Sequence, residues 1–445
     1  MALPVDPRAA ALAGDLPGYE LGECLHSGRD SRIFRGRRLA CGSPVIVKLP
    51  ASDFPEPALL ARLANEFEMA QRVSLPGVLP VLALERTRRG VALVSRDLGA
   101  DALAHLLAQG PLPLQQALVI ASRVADALDA LHAHDVVHRD VNPKNIVIVP
   151  AAGDVTLIDL GLAKAVPRGA DTHESPGGFE GTLAYSSPEQ TGRMNRRVDT
   201  RSDLYSLGVT IYQMLTGRLP FEARDRAELV HCHIALMPEP PVALDPTIPP
   251  PVSDLVMRLL AKTAEERYQS AAGVRADLDA CLVQIRETGA VRPFDLGKHD
   301  RPRDLLLPEH LYGREHELTL LSQAFRRARQ GFQELLLVTG SAGIGKTSIV
   351  RELHKPVVEA RGLFVSGKFD QVKRDLPYAA IIEAFQGLVR ELLAQGEEEV
   401  ETWRDRLLVA LGPNGSVIVD VIPEVTHIVG TPPPVPDLPA AETHN

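Results

Sequence analysis

Three side chains that could bind magnesium and phosphate stand close together in the sequence: Asp140, Asn145 and Asp159. Asp140 and Asn145 lie in the segment Val136–Ile146, which joins a long amphipathic helical pattern to a short strand pattern. Asp159 ends a second strand pattern that begins at Val155. Because carboxylate and amide oxygens are the hard ligands that magnesium prefers, the two turns indicate a site for magnesium and a phosphate-bearing ligand.

Several regular elements must hold these side chains in place. The apolar strand pattern Pro44–Lys48 ends in a lysine, and the helical pattern that follows, 59–73, carries Glu66 and Glu68. The run Val91–Gly99 is typical of a buried strand. A long amphipathic helix leads into the first turn, because apolar residues recur there every three or four positions. They are Leu114, Leu118, Ala121, Ala125, Leu128 and Leu131.

The two turns carry the motifs of a known family. His138-Arg-Asp140 and Asn145 match H-R-D-x-x-x-x-N, so the first turn resembles the catalytic loop of protein kinases. The second turn, 159–161, resembles the D-F-G motif with leucine in place of phenylalanine. Further landmarks follow in the family's order. The resemblance implies an α+β bilobal protein kinase fold, with a small β-rich N-lobe and a helical C-lobe, over residues 18–285.

The resemblance assigns catalytic roles to residues of both turns. Asp140 would take the proton of the attacking hydroxyl, and Asn145 and Asp159 would bind Mg²⁺ on the phosphates of ATP. Thr182 would contact Asp140. The leucine after Asp159 changes apolar packing and leaves the magnesium ligand intact.

A lysine–glutamate pair is also implied by the resemblance. Lys48 corresponds to the lysine that holds the α- and β-phosphates of ATP, and Glu66 is the better-spaced partner for it. Glu68, on another face of the same helix, is interpreted as a surface residue.

The nucleotide would lie between two backbone segments. In the first, His26–Ile33, only Gly28 remains of the family's Gly-rich loop, and Ile33 stands at the position of its valine. Taken by itself this segment reads as an ordinary hairpin. In the second, the backbone from Arg96 to Leu98 would hydrogen-bond adenine, as the resemblance implies.

Residues 162–181 correspond to the activation segment of the family. A phosphate on Thr172 or Ser175 could be captured by Arg139, which precedes the catalytic aspartate. An unmodified flexible loop is an equally good interpretation.

Two structural contacts are implied by the family. Glu189 belongs to a segment that matches A-P-E with serine for alanine, and it would pair with Arg267. Asp203 would open a buried helix and brace the backbone of the catalytic loop.

A second strong motif lies in the other half of the chain. It fits G-x-x-x-x-G-K-[ST] and stands between an apolar strand pattern, 334–339, and a helical pattern, which is the setting of a P-loop. The glycines would let backbone amides wrap the phosphates, the lysine would reach the β/γ-phosphates, and the threonine would contact Mg²⁺. The motif residues are Gly340, Gly343, Gly345, Lys346 and Thr347.

The P-loop is expected to belong to an incomplete domain, 311–445, which follows a flexible N-terminus (1–17), the kinase-like domain and a linker (286–310). A Gly-Arg-Glu box at 313–315 would lie near the nucleotide base, as the resemblance implies. A P-loop ATPase needs a second strand that ends in an acidic residue. Ser416–Asp420 resembles one only superficially, so the chain is expected to end within an α/β P-loop NTPase domain.

One position departs from the serine/threonine kinase pattern. Asn142 stands two residues after the catalytic aspartate, where the family has a lysine. Its surroundings, with Glu180–Tyr185 and Pro188–Asn195, resemble a group of bacterial multi-domain signalling kinases. In that group the kinase-like domain precedes an AAA-type P-loop ATPase and then sensor and histidine kinase modules. Asn142 is therefore interpreted as a trait of the group.

These motifs predict an ATP- and Mg²⁺-dependent serine/threonine protein kinase of bacterial signal transduction. Its partners would be a protein substrate or downstream signalling protein, with histidine kinase or sensor modules in a longer or companion chain. The main alternative is a pseudokinase that binds ATP and recruits partners, which Asn142 and the depleted Gly loop favour. A regulatory NTPase switch is a third interpretation.

Composition excludes other classes of function. A net charge of −9 gives no attraction to nucleic acid, and no apolar run approaches the ~20 residues of a membrane span. The four cysteines are widely spaced, so they predict reduced thiols and a cytoplasmic protein. His231-Cys232-His233 is not interpreted as a metal site, because three consecutive helical residues cannot converge on one ion.

Overall fold

A computed structural model gives the fold of the chain. It describes residues 16–149, 153–166, 181–193, 196–302, 313–341, 343–360, 362–369, 378–393, 397–412 and 415–430.

The first lobe is built on an antiparallel sheet of order β1-β2-β3-β5-β4. Its strands are β1 (Tyr19–Ser27), β2 (Ser31–Arg38), β3 (Pro44–Pro50), β4 (Val81–Thr87) and β5 (Gly90–Arg96). Apolar residues that alternate along these strands form a buried cluster on one face, centred on Phe34, Val45, Val47 and Val94. The other face receives helix α1, Pro57–Arg72.

Helix α1 begins at a proline, whose fixed φ suits the first turn of a helix. The helix buries Leu63 and Met69 in the larger core cluster, which extends into the second lobe. It therefore joins the two lobes, and the charged residues on its inner face point toward the cleft between them.

The second lobe is helical, and almost all of its core lies among its helices. They are α2 (Leu103–Leu107), α3 (Leu114–Ala133), α4 (Thr200–Thr216), α5 (Arg226–Ala235), α6 (Pro241–Leu244), α7 (Pro250–Leu259) and α8 (Ala271–Thr288). Helix α4 is buried along nearly its whole length, so it is the central helix of this lobe. The amphipathic pattern predicted to lead into the first turn forms α3.

Short strands shape the loops that face the cleft. One antiparallel ladder joins β6 (Asp101–Ala102), β8 (Ile146–Ile148) and β9 (Val155–Leu157), and β7 (Val136–Val137) pairs with β10 (Lys164–Ala165). Because β8 and β9 are paired, the turn that contains Asp140 and the turn that contains Asp159 end side by side.

The boundaries of the kinase-like region differ from the expectation at both ends. Leu16, which was predicted to lie in a flexible terminus, is buried against the sheet. The predicted linker also begins too early, because Val291, Phe294 and Leu296 pack against the helical core. Asp300 accepts hydrogen bonds from the backbone nitrogens of residues 269 and 270. Val291, Phe294 and Leu296 were not recognised as core residues because the segment around them is rich in charged residues.

The second half of the chain is helical in the part that the structure describes. Its helices are α9 (Glu315–Arg329), α10 (Lys346–Arg351), α11 (His354–Glu359), α12 (Ala379–Leu393), α13 (Glu397–Leu411), α14 (Gly415–Val421) and α15 (Thr426–Val429). A small apolar cluster is formed by Val389 and Leu392 of α12, by Ile428 of α15, and by Ile422 and Val425 in the turn before α15. Trp403 of α13 and Val419 of α14 pack against this cluster, so it joins the last four helices.

The strand predicted before the P-loop is not formed, and this expectation was wrong. Residues 334–340 pair with no strand among the described residues, and the side chain of Leu335 is 87% exposed. The central strand of a parallel sheet exists only between neighbours, since its backbone groups must be paired on both edges. Ser416–Asp420, which resembled a strand superficially, lies within helix α14.

Within the described ranges, no helix combines the length and the hydropathy that crossing a membrane requires.

Candidate active site

Lys48 lies on β3 between two carboxylates. Its Nζ donates to Glu66 Oε2 at 2.9 Å and to Asp159 Oδ2 at 2.8 Å. Glu66 is buried on the inner face of α1, whereas Glu68 is exposed. The structure therefore places Glu66, and not Glu68, against Lys48.

Burial and mutual attraction shape the protonation of this group. Burial raises the pKa of Glu66 to about 7. The ammonium of Lys48 opposes this rise only in part, and the negative charge of the nearby Asp159 adds to it. Burial alone would also raise the pKa of Asp159, but the ammonium of Lys48 and its hydrogen bond hold that pKa below the ordinary value. The pKa of Lys48 is raised by the two carboxylates in spite of its own burial. Near neutral pH the ammonium and the Asp159 carboxylate are charged, and Glu66 titrates.

The turn at Asp159 is held in an unusual conformation. Asp159 has φ 66°, a left-handed value that a non-glycine residue adopts only when its surroundings enforce it. Asn65 provides that support, because its Nδ2 donates to the carbonyls of Leu160, Gly161 and Ala163 at 3.3, 3.0 and 2.9 Å. Sequence reasoning missed Asn65, whose only signal was its position next to Glu66.

The catalytic-loop motif brings Asp140 and Asn145 into direct contact. Asn145 Nδ2 donates to Asp140 Oδ2 at 2.8 Å and to the Asp140 carbonyl at 2.9 Å. Thr182 N donates to Asp140 Oδ1 at 3.0 Å. Both hydrogens of the Asn145 amide point to Asp140, so its Oδ1 is the atom that can serve as a metal ligand. The contact between Thr182 and Asp140 is made by the Thr182 backbone.

Asp203 on α4 braces the loop from below. Its Oδ2 accepts from His138 N at 2.9 Å and its Oδ1 from Arg139 N at 2.8 Å, and these bonds hold Arg139 at φ 69°. His132 contributes a further contact to the same carboxylate. The buried ring of His138 accepts from Asp140 N and donates to the carbonyl of Ile158, which links the two turns.

Asn142 has a defined place in the loop. The residue is buried, with only 1% of its surface exposed. Nδ2 donates to the Asp140 carbonyl at 3.0 Å and to Thr182 Oγ1 at 3.4 Å, and Oδ1 accepts from Lys144 N at 2.9 Å. Asn142 therefore joins the catalytic loop to the end of the activation segment by hydrogen bonds in place of a charge.

The end of the activation segment reaches the same loop. Gly181 has φ 119°, which favours glycine, and this conformation brings Thr182 to Asp140. Gln190 Nε2 donates to the Arg139 carbonyl at 2.7 Å, a support that sequence reasoning missed. The predicted phosphorylation sites, Thr172 and Ser175, lie outside the described residues.

A buried ion pair anchors the chain that follows the activation segment to the helical lobe. Arg267 Nη1 and Nη2 donate to Glu189 Oε1 and Oε2 at 2.7 and 2.9 Å, and Ser202 Oγ donates to Oε1. Burial alone would raise the pKa of Glu189, but the Arg267 guanidinium holds it below the ordinary value. The pair implied by the family resemblance is thus present in the structure.

The nucleotide side of the cleft is simpler than the family pattern. The β1–β2 connection is a tight turn in which Gly28 N donates to the Ser31 carbonyl at 2.9 Å. Ile33 pairs with Lys48 across β2 and β3. Beyond Arg96, at the end of β5, the Leu98 amide donates no hydrogen bond within the described residues.

The P-loop residues form a separate cluster. Lys346 begins α10, directly after Gly345 with φ 93°, and its Nζ donates to the carbonyls of Gly340 and Ser341 at 3.0 and 2.8 Å. Gly343 also has a positive φ, and Thr347 lies in the first turn of the helix. In this arrangement the lysine binds carbonyls of its own loop.

The kinase-type residues converge on one cleft of about 440 Å³. It is lined by Lys48, Asp140, Asp159 and Thr182, and also by Leu183, which lies just after the activation segment. A buried cation, hard oxygen ligands and a carboxylate placed near an opening are the components of a phosphoryl-transfer site.

Comparison with known proteins agrees with this geometry. Residues 19–277 match the protein kinase domain, and residues 310–445 match the AAA ATPase domain. The hybrid signal transduction histidine kinase G of Dictyostelium discoideum is 38% identical over 284 residues, which is 59% of this chain and 8% of that protein.

Bacterial serine/threonine-protein kinases are also similar. Pkn1 of Myxococcus xanthus is 32% identical over 305 residues, covering 66% of this chain and 43% of Pkn1. PknB of Mycobacterium tuberculosis is 33% identical over 276 residues, covering 58% of this chain and 42% of PknB. The chain spans less than half the length of each of these relatives. Since the protein kinase domain accounts for more than half of the chain, the protein belongs to the protein kinase family.

Proposed function

We infer that the chain is an ATP-dependent serine/threonine protein kinase of bacterial signal transduction. The observation that carries this inference is the joint assembly of two groups in one cleft. Lys48 is paired with Glu66 and Asp159, and Asp140 is held by Asn145 and Thr182. Phosphoryl transfer requires both groups in one cleft, the lysine cluster to hold ATP and the Asp140 cluster to orient the acceptor hydroxyl.

The residues present fit Mg²⁺ and ATP. Asn145 Oδ1 and the Asp159 carboxylate are hard oxygen donors in two adjacent turns, and they would hold the metal. When bound, the metal neutralises charge on the phosphates of ATP. Lys48 would hold the α- and β-phosphates, Gly28 and Ile33 would cover them, and adenine would meet the backbone from Arg96 to Leu98.

The proposed reaction balances as a simple displacement. Asp140 orients the hydroxyl of a serine or threonine and takes its proton, while the hydroxyl oxygen forms a bond to the γ-phosphorus. The bond between the γ-phosphorus and the oxygen that bridges to the β-phosphate breaks, and ADP leaves with that electron pair. Asn145 and Thr182 keep the Asp140 carboxylate turned toward the hydroxyl, because both of its oxygens are held by hydrogen bonds.

The pseudokinase alternative has less support. Its basis is Asn142 and the depleted Gly loop, yet Asn142 is hydrogen-bonded on both sides of the catalytic loop. Asn142 is therefore an integral part of the hydrogen-bond network around Asp140. Loss of the positive charge that the family's lysine provides at this position can reduce the rate of transfer by ~10²- to 10³-fold. We therefore expect a slow kinase.

The second nucleotide site is proposed at the P-loop. Gly340, Gly343 and Gly345 would wrap the phosphates, Lys346 would contact the β/γ-phosphates, and Thr347 would bind Mg²⁺. A nucleotide-dependent regulatory switch is the role that this half would have. The Gly-Arg-Glu box, 313–315, would lie near the base.

Partners and compartment are proposed on the same basis. The substrate would be a protein, and sensor or histidine kinase modules would act with this chain, as the similarity to a hybrid histidine kinase suggests. We propose a cytoplasmic location, supported by four cysteines that form no disulfide in the described residues.

Transfer of γ-labelled phosphate tests the proposal. The full chain is incubated with labelled ATP, Mg²⁺ and a basic acceptor protein, beside the variants Asp140→Asn and Asp254→Asn. Asp254 is exposed on α7, outside the cleft, and serves as a matched loss of one carboxylate. Label transfer by the wild type and Asp254→Asn, but not by Asp140→Asn, is expected. Mg²⁺-dependent ATP binding without transfer would replace the kinase with the pseudokinase.

A further inference from the structure

Helix α11, which follows the P-loop, packs on helix α5 of the kinase C-lobe. Val358 of α11 is 7% exposed and joins Val230 and Ile234 of α5 in a buried apolar cluster. Leu183, two residues after the activation segment, packs against the same cluster. The contact therefore involves three parts of the chain that lie far apart in sequence.

Polar contacts flank this apolar centre. His231 Nδ1 of α5 donates to the Val358 carbonyl at 3.0 Å. Arg196, which precedes α4, forms an ion pair with Glu352 at 3.3 Å, and Glu352 lies between α10 and α11. Apolar burial, a hydrogen bond to backbone and a charge pair together define one orientation of α11 on the kinase.

The contact lies beside the place where a protein substrate must enter. Leu183 follows Thr182, whose N–H binds Asp140, so a hydroxyl that approaches Asp140 passes close to Leu183. Leu183 and Arg226, the first residue of α5, line the same cleft as Asp140. Helix α11 thus packs against Leu183 and α5, which both contribute to the wall of the cleft near Asp140.

We propose that α11 is an autoinhibitory element that docks between α5 and Leu183 and restricts access of the protein substrate to Asp140. The proposal rests on the kinase activity inferred above. It concerns the acceptor and not ATP, because the α11 contacts involve Leu183 and α5 and none of the residues proposed to hold the nucleotide. Release of α11 should therefore lower the KM for the acceptor and leave the KM for ATP unchanged.

The test compares variants of the full chain at saturating MgATP with varied acceptor protein. Val358→Asp places a charge in the apolar cluster, and the acceptor KM is expected to fall about 5-fold or more, the lower end of typical couplings between sites. Val358→Ala gives a milder change in the same direction. Val357→Ala is the matched control, because Val357 is an equally buried neighbour that does not join the cluster.

A charge reversal supplies an independent readout. Arg196→Glu and Glu352→Arg should each lower the acceptor KM, and the double variant should restore the wild-type value because the ion pair is rebuilt with opposite polarity. General damage to the second half of the chain would not be repaired in this way. Failure of the double variant to restore the value would overturn the docking.

The outcomes separate this proposal from the kinase activity itself. If the wild type transfers label and both Val358→Asp and Val358→Ala have the same acceptor KM as the wild type, autoinhibition is overturned and the kinase activity stands. Absence of transfer by every variant would overturn both. Transfer that is weak in the wild type and strong in Val358→Asp would support both.

Discussion

The buried pair Glu189–Arg267 is expected to be a main support of the kinase lobe. Both side chains are almost fully buried, and the guanidinium also donates to the carbonyls of Ala261, Arg201 and Lys262. Glu189→Gln preserves the shape of the side chain and removes its charge, so the Arg267 cation is left buried without a counter-ion. Breaking such a pair from one side destabilises proteins by ~3–5 kcal/mol.

The lower end of that range applies here. The three carbonyl acceptors remain in the Glu189→Gln variant, and the amide oxygen of glutamine can still accept one hydrogen bond. We therefore expect the free energy of unfolding to fall by ~3 kcal/mol. For a domain of this size, ~2–4 °C in Tm per kcal/mol predicts a decrease of ~6–12 °C. Thermal unfolding followed by circular dichroism at neutral pH measures the change.

Glu266→Gln is the matched control, because Glu266 is an exposed carboxylate next to Arg267 in sequence. It is expected to change the stability by less than ~0.5 kcal/mol. A decrease below ~1 kcal/mol for Glu189→Gln would refute the reasoning, since the buried charge would then have found another partner. The pair also has a pH signature. Since the pKa of Glu189 lies below its ordinary value of 4.5, the difference between wild type and variant is fully present above that pH and shrinks as pH falls toward the lowered pKa.

Three further predictions concern the cleft and the P-loop. The kcat/KM for ATP should fall as pH is lowered through about 7, because protonated Glu66 no longer balances the charge of Lys48, and Glu66→Gln should abolish this dependence. Asn142→Ala should lower kcat by ~10-fold, because about 1.4 kcal/mol of hydrogen bonding to Thr182 and the catalytic loop is lost. Lys48→Met should abolish phosphate transfer and ATP binding in the kinase cleft. Lys346→Met should abolish ATP binding at the P-loop and preserve transfer. Equilibrium dialysis measures the number of ATP sites, and the label assay measures transfer.

Each of these predictions has a contrary result. A pH dependence that persists in Glu66→Gln would assign it to another group. An unchanged kcat in Asn142→Ala would show that its hydrogen bonds do not position Asp140. A binding stoichiometry of one ATP in the wild type, unaffected by Lys346→Met, would contradict nucleotide binding at the P-loop.

Motifs whose residues are neighbours in sequence were predictable. The segment Val136–Ile146 carries its own turn, and the amphipathic helix before it follows from a period of three to four residues, which α3 reproduces. The choice of Glu66 over Glu68 followed from the spacing that the family resemblance implies, and helical geometry added that residues two apart face different directions, so only one of them would meet Lys48. Local spacing was sufficient for these features.

Contacts between distant segments were decided by the tertiary structure. Asn65 supports the turn at Asp159, and Gln190 supports the backbone of Arg139, although no local pattern marks either residue. The burial of Asn142 between Asp140 and Thr182 likewise depends on a loop about forty residues further along the chain. Hydrogen bonds of this kind require two surfaces to meet, which a single segment does not specify.

In the second half of the chain, too, a local motif was predictable from the sequence and a long-range arrangement was not. Its P-loop motif was recognisable from residue types alone, because glycines, a lysine and a threonine at fixed spacing describe a local phosphate cradle. The strand before it was predicted from apolar residues that are exposed in the structure. A strand depends on partners for its backbone groups, and the docking of α11 on α5 depends on complementary surfaces. The sequence by itself determined the local chemistry of this protein, and only the tertiary structure decided which segments meet, because long-range pairing is a property of surfaces.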